Sequence, residues 1–141
     1  MTEWSFEAQM QAAQAIADQW GAWMRSTGAD EVVAEYEAVG PRAAVSSQVL
    51  HQGQWMNNAL PMELVGLGLN LRTAMGRPGG GAWTWARLSM SSSQGYKLVS
   101  DFDYDREPDL DPPYTAQDVA QELQAFPRTP DATPEWMRIN G

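Results

Sequence analysis

The sequence predicts an α+β fold. It has a four-stranded, mainly antiparallel sheet with helices packed on one face, in the order α-β-β-α-β-β-α. Three observations carry that prediction. Apolar residues recur at helical spacing in three segments, near 6–24, 64–75 and 119–126. Alternating runs come in two pairs, around 30–50 and 83–105. Gly- and Pro-containing stretches separate them. The 141 residues are read as one domain, 1–141, whose end at 127–141 is a strap or tail.

The elements follow in order. Phe6, Met10, Ala13, Ala17, Trp20 and Met24 form one stripe, which Ile16 and Trp23 widen. Gln11, Asp18 and Arg25 lie opposite, and Gly28 is the stop signal. Val32, Ala34, Tyr36 and Ala38 then point one way, while Glu31, Val33, Glu35 and Glu37 point the other. Gly40-Pro41 punctuates, and 43–50 is a second strand, making a hairpin. The polar segment 51–58 reads as a loop or a strand extension. Pro61 suits the first position of a helix carrying Leu64, Leu67 or Gly68, Leu71 and Met75. Gly66 and Gly68 each weaken it by roughly 1 kcal/mol. Residues 76–81, Gly-Arg-Pro-Gly-Gly-Gly, read as a flexible connection. Strands are expected at 83–91 and 96–105. In the second, Tyr96, Leu98, Phe102 and Tyr104 share one face, and Lys97, Val99, Asp101, Asp103 and Asp105 the other. Pro108, Pro112 and Pro113 make a loop. Thr115 caps a last helix with Asp118 three residues on, Val119, Leu123 and Phe126 line it, and Pro127 stops it.

Composition excludes several function classes. There is no Cys, so there are no disulfides, thiolate metal sites or cysteine nucleophiles, and a single His excludes a multi-His zinc site. No apolar run reaches the roughly 18–20 residues that span a bilayer. Residues 1–10 carry acids and no basic stretch, which is unlike a secretory signal. A cytoplasmic protein without a cofactor is expected. With 9 Lys+Arg against 18 Asp+Glu the net charge is -9. That balance disfavours direct contact with nucleic acid and favours a basic partner.

Local motifs for catalysis are weak. His51 has no Ser or Cys at a recognisable spacing, and no Gly-x-Ser-x-Gly elbow occurs. Gly66-Leu67-Gly68 lacks the third Gly of a dinucleotide fingerprint, and Gly79-Gly80-Gly81 lacks the Lys-Ser or Lys-Thr of a phosphate loop. The strongest signal is acidic. Asp101, Asp103, Asp105, Glu107, Asp109 and Asp111, against Arg106 alone, place a charge of -5 in eleven residues. Along a strand, carboxylates two residues apart stand roughly 6.5–7 Å from one another.

Three readings of that run compete. A calcium loop needs Gly at its sixth position and Glu at its twelfth, where this run has Arg106 and Pro112. Paired carboxylates for glycoside chemistry need a cleft that nothing in the sequence indicates. The third reading is a solvated or protein-binding acidic face. If the strands pair as hairpins, the outward face of 96–105 continues onto Trp83, Trp85 and Arg87 and on to Glu35 and Glu37. Indoles within a charged rim suit a protein interface. In the inverse register, Trp83 and Trp85 are core.

The C-terminal half resembles a known family. Trp83-Thr84-Trp85-Ala86-Arg87, a turn, and then Val99-Ser100-Asp101-Phe102-Asp103-Tyr104-Asp105 are similar to the signature of the YezG-like (DUF600) immunity proteins. The acidic Pro-rich run Glu107-Pro108-Asp109-Leu110-Asp111-Pro112-Pro113 resembles the loop of the actinobacterial branch. Glu122-Leu123, Phe126-Pro127-Arg128 and Pro134-Glu135-Trp136-Met137 resemble its helix end and strap. The likeness covers about 83–137. Thr129-Pro130 departs from it where Asp-Pro is commoner, as does the Gly-bearing middle helix.

The resemblance implies an immunity protein that binds and neutralises a cognate polymorphic toxin, often a nuclease, in a stoichiometric complex and without chemistry of its own. The contact residues are then expected among Trp85, Asp101, Asp103, Tyr104, Asp105, Glu107, Asp109 and Asp111. An acidic face would occupy the basic substrate site of such a toxin in place of phosphates. The rival readings are an acidic adaptor or secretion chaperone for another basic protein, and an enzyme with carboxylate or metal chemistry.

Overall fold

The computed structural model describes residues 5–138. Residues 1–4 of the acidic opening segment and 139–141 of the expected strap lie outside the described residues.

The chain is α+β, with one antiparallel sheet and three α-helices. Helix α1 (Phe6–Thr27) opens on Ser5, whose side chain accepts from Ala8 N, and closes on Gly28 at φ 77°. Ile16, Trp20 and Met24 are buried, as the stripe requires, whereas Phe6 and Met10 remain exposed. The strands are β1 (Glu31–Val39), β2 (Arg42–His51), β3 (Gln54–Asn57), β4 (Trp85–Ser91) and β5 (Val99–Asp103). They lie in the order β3-β2-β1-β4-β5.

The sheet has five strands where four are expected. The extra strand is β3, in the polar segment left between loop and strand extension. Gln52 (φ 52°) and Gly53 (φ 79°) reverse the chain in a two-residue turn of the kind that suits a hairpin. Every residue of β3 is exposed, so it carries no inside-outside alternation to reveal it.

Helix α2 (Met62–Ala74) bridges β3 to β4, with Pro61 one position before the helix rather than in it. It packs beside α1 on one face of the sheet. The Trp20 indole donates to Leu64 O (3.1 Å) and the Tyr36 hydroxyl donates to Val65 O (2.7 Å). Gly68 has a packing role. A Cβ there would lie 2.2 Å from the Tyr36 ring, so only glycine lets this helix settle on β1. No such neighbour surrounds Gly66. Val32, Ala34, Tyr36, Ala86, Leu88 and Met90 complete the inner face, all buried.

Trp83 corrects the expected strand boundary. It is fully buried, packed 6.0 Å from Tyr36 and 5.8 Å from Phe102 between ring centroids. Alternation fails here because Ala82, Trp83 and Thr84 are all buried. Thr84 is fully buried and its hydroxyl donates to Arg106 O (2.5 Å). Strand β4 therefore begins at Trp85, and Trp83 does not share its outward face. Strand β5 is also shorter than expected. Tyr96 sits at φ 61°, and Asp103 Oδ1 ends the strand by accepting from Asp105 N (2.9 Å) and Arg106 N (3.1 Å).

Helix α3 (Ala116–Ala125) carries the expected capping box between Thr115 and Asp118. It joins the strap at one end of the sheet, where Val39, Leu110, Val119 and Met137 form a second small core. A buried ion pair ties it to α2. Arg72 donates to Glu122 (2.7 Å) and to Trp83 O (2.7 Å), while Glu122 accepts from Gly40 N (2.8 Å). The Gly-rich connection is a closed turn rather than a loose one. Gly80 N and Gly81 N both donate to Arg77 O. Gly81 at φ 79° leaves room for the buried Arg128 side chain, whose Nε would lie 2.3 Å from a Cβ there. Arg128 donates to the carbonyls of Ala82, Tyr104 and Ala132 and pairs with Asp105 (3.1 Å).

Candidate functional site

The sheet face opposite α1 and α2 carries the candidate site. Strand register determines its composition, because residues directly opposed in antiparallel strands point to the same side. Glu35, Arg87 and Asp101 form one cross-strand row. Glu37, Trp85 and Asp103 form the next. Ser89 and Val99 continue the surface beside Val33, and Leu50 and Trp55 continue it toward β3. Glu35, Arg87, Asp101, Asp103 and Trp55 are exposed, whereas Trp85 is partly buried. The face therefore bears Glu31, Glu35, Glu37, Asp101 and Asp103 around Arg87, with Arg42 opposite Val39 at its end.

The segment between β5 and α3 crosses the Trp85 end of this face. Asp109 N donates to Glu37 Oε1 (3.1 Å). Arg106 stacks over the Trp85 indole, 4.8 Å from the ring centroid. The Trp85 Nε1 donor is buried without a hydrogen-bond partner. Beyond it, Asp105, Glu107, Asp109 and Asp111 are exposed. Glu107 accepts from the Tyr114 hydroxyl (2.6 Å), and burial together with that carboxylate pushes the Tyr114 phenol up to about 12. Arg42 supports the segment from β2 by donating to Pro112 O (2.5 Å).

The expected contact residues thus separate. Trp85, Asp101 and Asp103 lie on the open face, and Asp105, Glu107, Asp109 and Asp111 on the segment beside it. Tyr104 does not join them. It packs against the main core and donates its hydroxyl to Met75 O (3.1 Å), on the side of α2. Asp103 and Asp105 also have structural work, in the turn after β5 and against Arg128. Asp101 and Glu35 have no such role among the described residues and are exposed. A base inside an acidic run carries no local sign of the ring it covers, so the stacking of Arg106 is evident only in the fold.

His51 is a structural residue, donating from Nε2 to Thr27 O (3.2 Å). Among the described residues, no group of three or more His, Cys, Asp or Glu side chains is placed to hold a metal ion. No helix among them is long and apolar enough to cross a membrane. What the arrangement offers chemically is an acidic surface with a partly buried indole at one end, stacked by Arg106. Comparison of the chain with known protein-family models and with curated proteins finds no match.

Proposed function

We propose that this protein is a cytoplasmic immunity protein of the YezG-like kind, which neutralises a cognate toxin by binding it stoichiometrically through the open face of the sheet. One observation carries the reading: the sheet face away from α1 and α2 aligns Glu35, Arg87 and Asp101 beside Glu37, Trp85 and Asp103, the second row partly covered by the segment between β5 and α3. Carboxylates around a partly buried indole offer a basic partner both steering and an anchor. A nuclease toxin, basic where it holds phosphates, has the complementary charge. In this mechanism the protein binds and performs no catalysis. The likeness of 83–137 to the family motif supports the toxin as partner, and the face supports the basic character of that partner.

The test is a pull-down and titration with the toxin domain encoded beside the gene, at low and high salt, together with rescue of cells expressing the toxin. One-to-one binding that weakens with salt is expected. Glu35→Ala with Asp101→Ala, which spares the turn at Asp103, should weaken binding at low salt by about tenfold or more. Binding insensitive to both salt and that double substitution would remove this face from the reading. Absence of binding and rescue would favour the acidic adaptor.

A further inference from the structure

The charge distribution marks a second region, at the sheet edge away from the acidic rows. Residues 43–62 contain no Asp, Glu, Lys or Arg, although the chain has 9 basic and 18 acidic residues. The fold places this neutral stretch in β2, in the edge strand β3 and at the start of α2. Three of the large apolar side chains left exposed fall within it: Trp55 at 48%, Met56 at 44% and Met62 at 80%.

An exposed strand edge is a template for another strand, and proteins ordinarily protect it with charge, proline or a bulge. The two edges here differ. Strand β5 carries Asp101 and Asp103 and adjoins the acidic segment. Strand β3, Gln54-Trp55-Met56-Asn57, has none of those protections. Its hairpin register pairs His51 with Gln54 across a two-residue turn, and Val49 with Met56. In such a hairpin the hydrogen-bonded pairs alternate from the turn-closing pair. The N–H and C=O groups of Trp55 and Asn57 therefore point away from β2. Trp55 lies on the open face beside Leu50, and Met56 on the helix side beside the buried Val49.

We infer that β3 pairs antiparallel with β3 of a second copy of this chain, joining two sheets into one of ten strands. Symmetry and charge select the occupant: a two-fold axis at Met56 sets the outward groups of Trp55 in each copy opposite those of Asn57 in the other, so the edge is complementary to itself. Two copies each at -9 repel, so a self-complementary contact belongs where neither copy carries charge. A partner with basic residues would instead be drawn to the opposite edge and the acidic face. The four-residue edge is small, so dimerisation should depend on concentration. Salt should tighten it by screening the repulsion between copies, the reverse of its effect on the acidic face.

The experiment is sedimentation equilibrium of the full chain over a range of concentrations at low and high salt. A concentration-dependent mass approaching twice 15.6 kDa, increasing with salt, is expected. Asn57→Pro removes an outward N–H together with the exposed hydrogen bond that Gln48 Nε2 donates to Asn57 Oδ1 (3.2 Å), and Trp55→Glu places a charge at the contact. Each should hold the protein monomeric while its circular dichroism and melting temperature stay close to those of the unsubstituted chain. A monomer at all concentrations overturns the inference, including one whose β3 edge binds only a strand of another protein. A dimer unaffected by either substitution overturns it as well.

Discussion

At the scale of the residue, two positions show how tertiary packing changes the meaning of a local signal. Gly68 reads as a weak point in a helix, yet a Cβ there would lie 2.2 Å from the ring of the fully buried Tyr36. Gly68→Ala should therefore destabilise the protein by about 2–3 kcal/mol, although alanine is the better helix former. Urea unfolding would measure this, and Gly66→Ala is its neutral or stabilising control. Glu122 sits in a short amphipathic helix where a surface acid would be unremarkable. It is fully buried and paired with Arg72 (2.7 Å). Glu122→Ala leaves a buried guanidinium without its counter-charge and should cost about 3–5 kcal/mol. Replacing both partners with apolar residues, Arg72→Met with Glu122→Leu, should cost less than Glu122→Ala alone.

At the scale of the element, end signals were legible and strand pairing was less so. Ser5, Gly28, Thr115 and Asp118 carry local chemistry that needs no tertiary partner, so the ends of α1 and the start of α3 follow from sequence. Strand β3 was ambiguous because an edge strand exposed on both faces leaves no periodic trace. Of the two registers open for Trp83, the core one holds, because strand alternation stops where three successive residues are buried. The cap of α3 also bears on the acidic segment, since Leu110 of that segment and Val119 of α3 share one small core. Thr115→Ala should lower stability by about 1 kcal/mol. Limited proteolysis should then show earlier cleavage between β5 and α3 than in the unsubstituted protein.

At the scale of the whole molecule, charge and burial set the response to conditions. Two phenols are held above their ordinary value. Burial raises Tyr36, and burial with Glu107 raises Tyr114 to about 12. The folded protein thus keeps protons that the unfolded chain releases from about pH 10. Their contribution is fully present below that pH and is lost as pH rises toward 12. Melting temperatures measured from pH 8 upward should be flat in this respect and then fall beyond about pH 10. Tyr114→Phe should shallow the fall without abolishing it. Across the molecule the acidic face lies toward one edge of the sheet and the uncharged stretch toward the other. Raising salt should accordingly weaken binding of a basic partner and strengthen self-association.

The amino-acid sequence by itself determined the α+β class, the three helices with both caps of α1 and the N-cap of α3, the inward set of β1 and the acidic concentration at 101–111. Each depends on periodicity or on contacts within a few residues. The tertiary structure decided the rest. It brought Glu35, Arg87 and Asp101 into one row and turned Trp83 into the core while leaving Trp85 on the open face. It set Tyr104 against Met75, and it joined Arg72 to Glu122 across fifty positions of chain. A side chain's direction along its own strand is local. Which strand lies beside it, and which face the helices cover, depends on pairings between segments distant in the chain, whose free energy only the assembled core supplies.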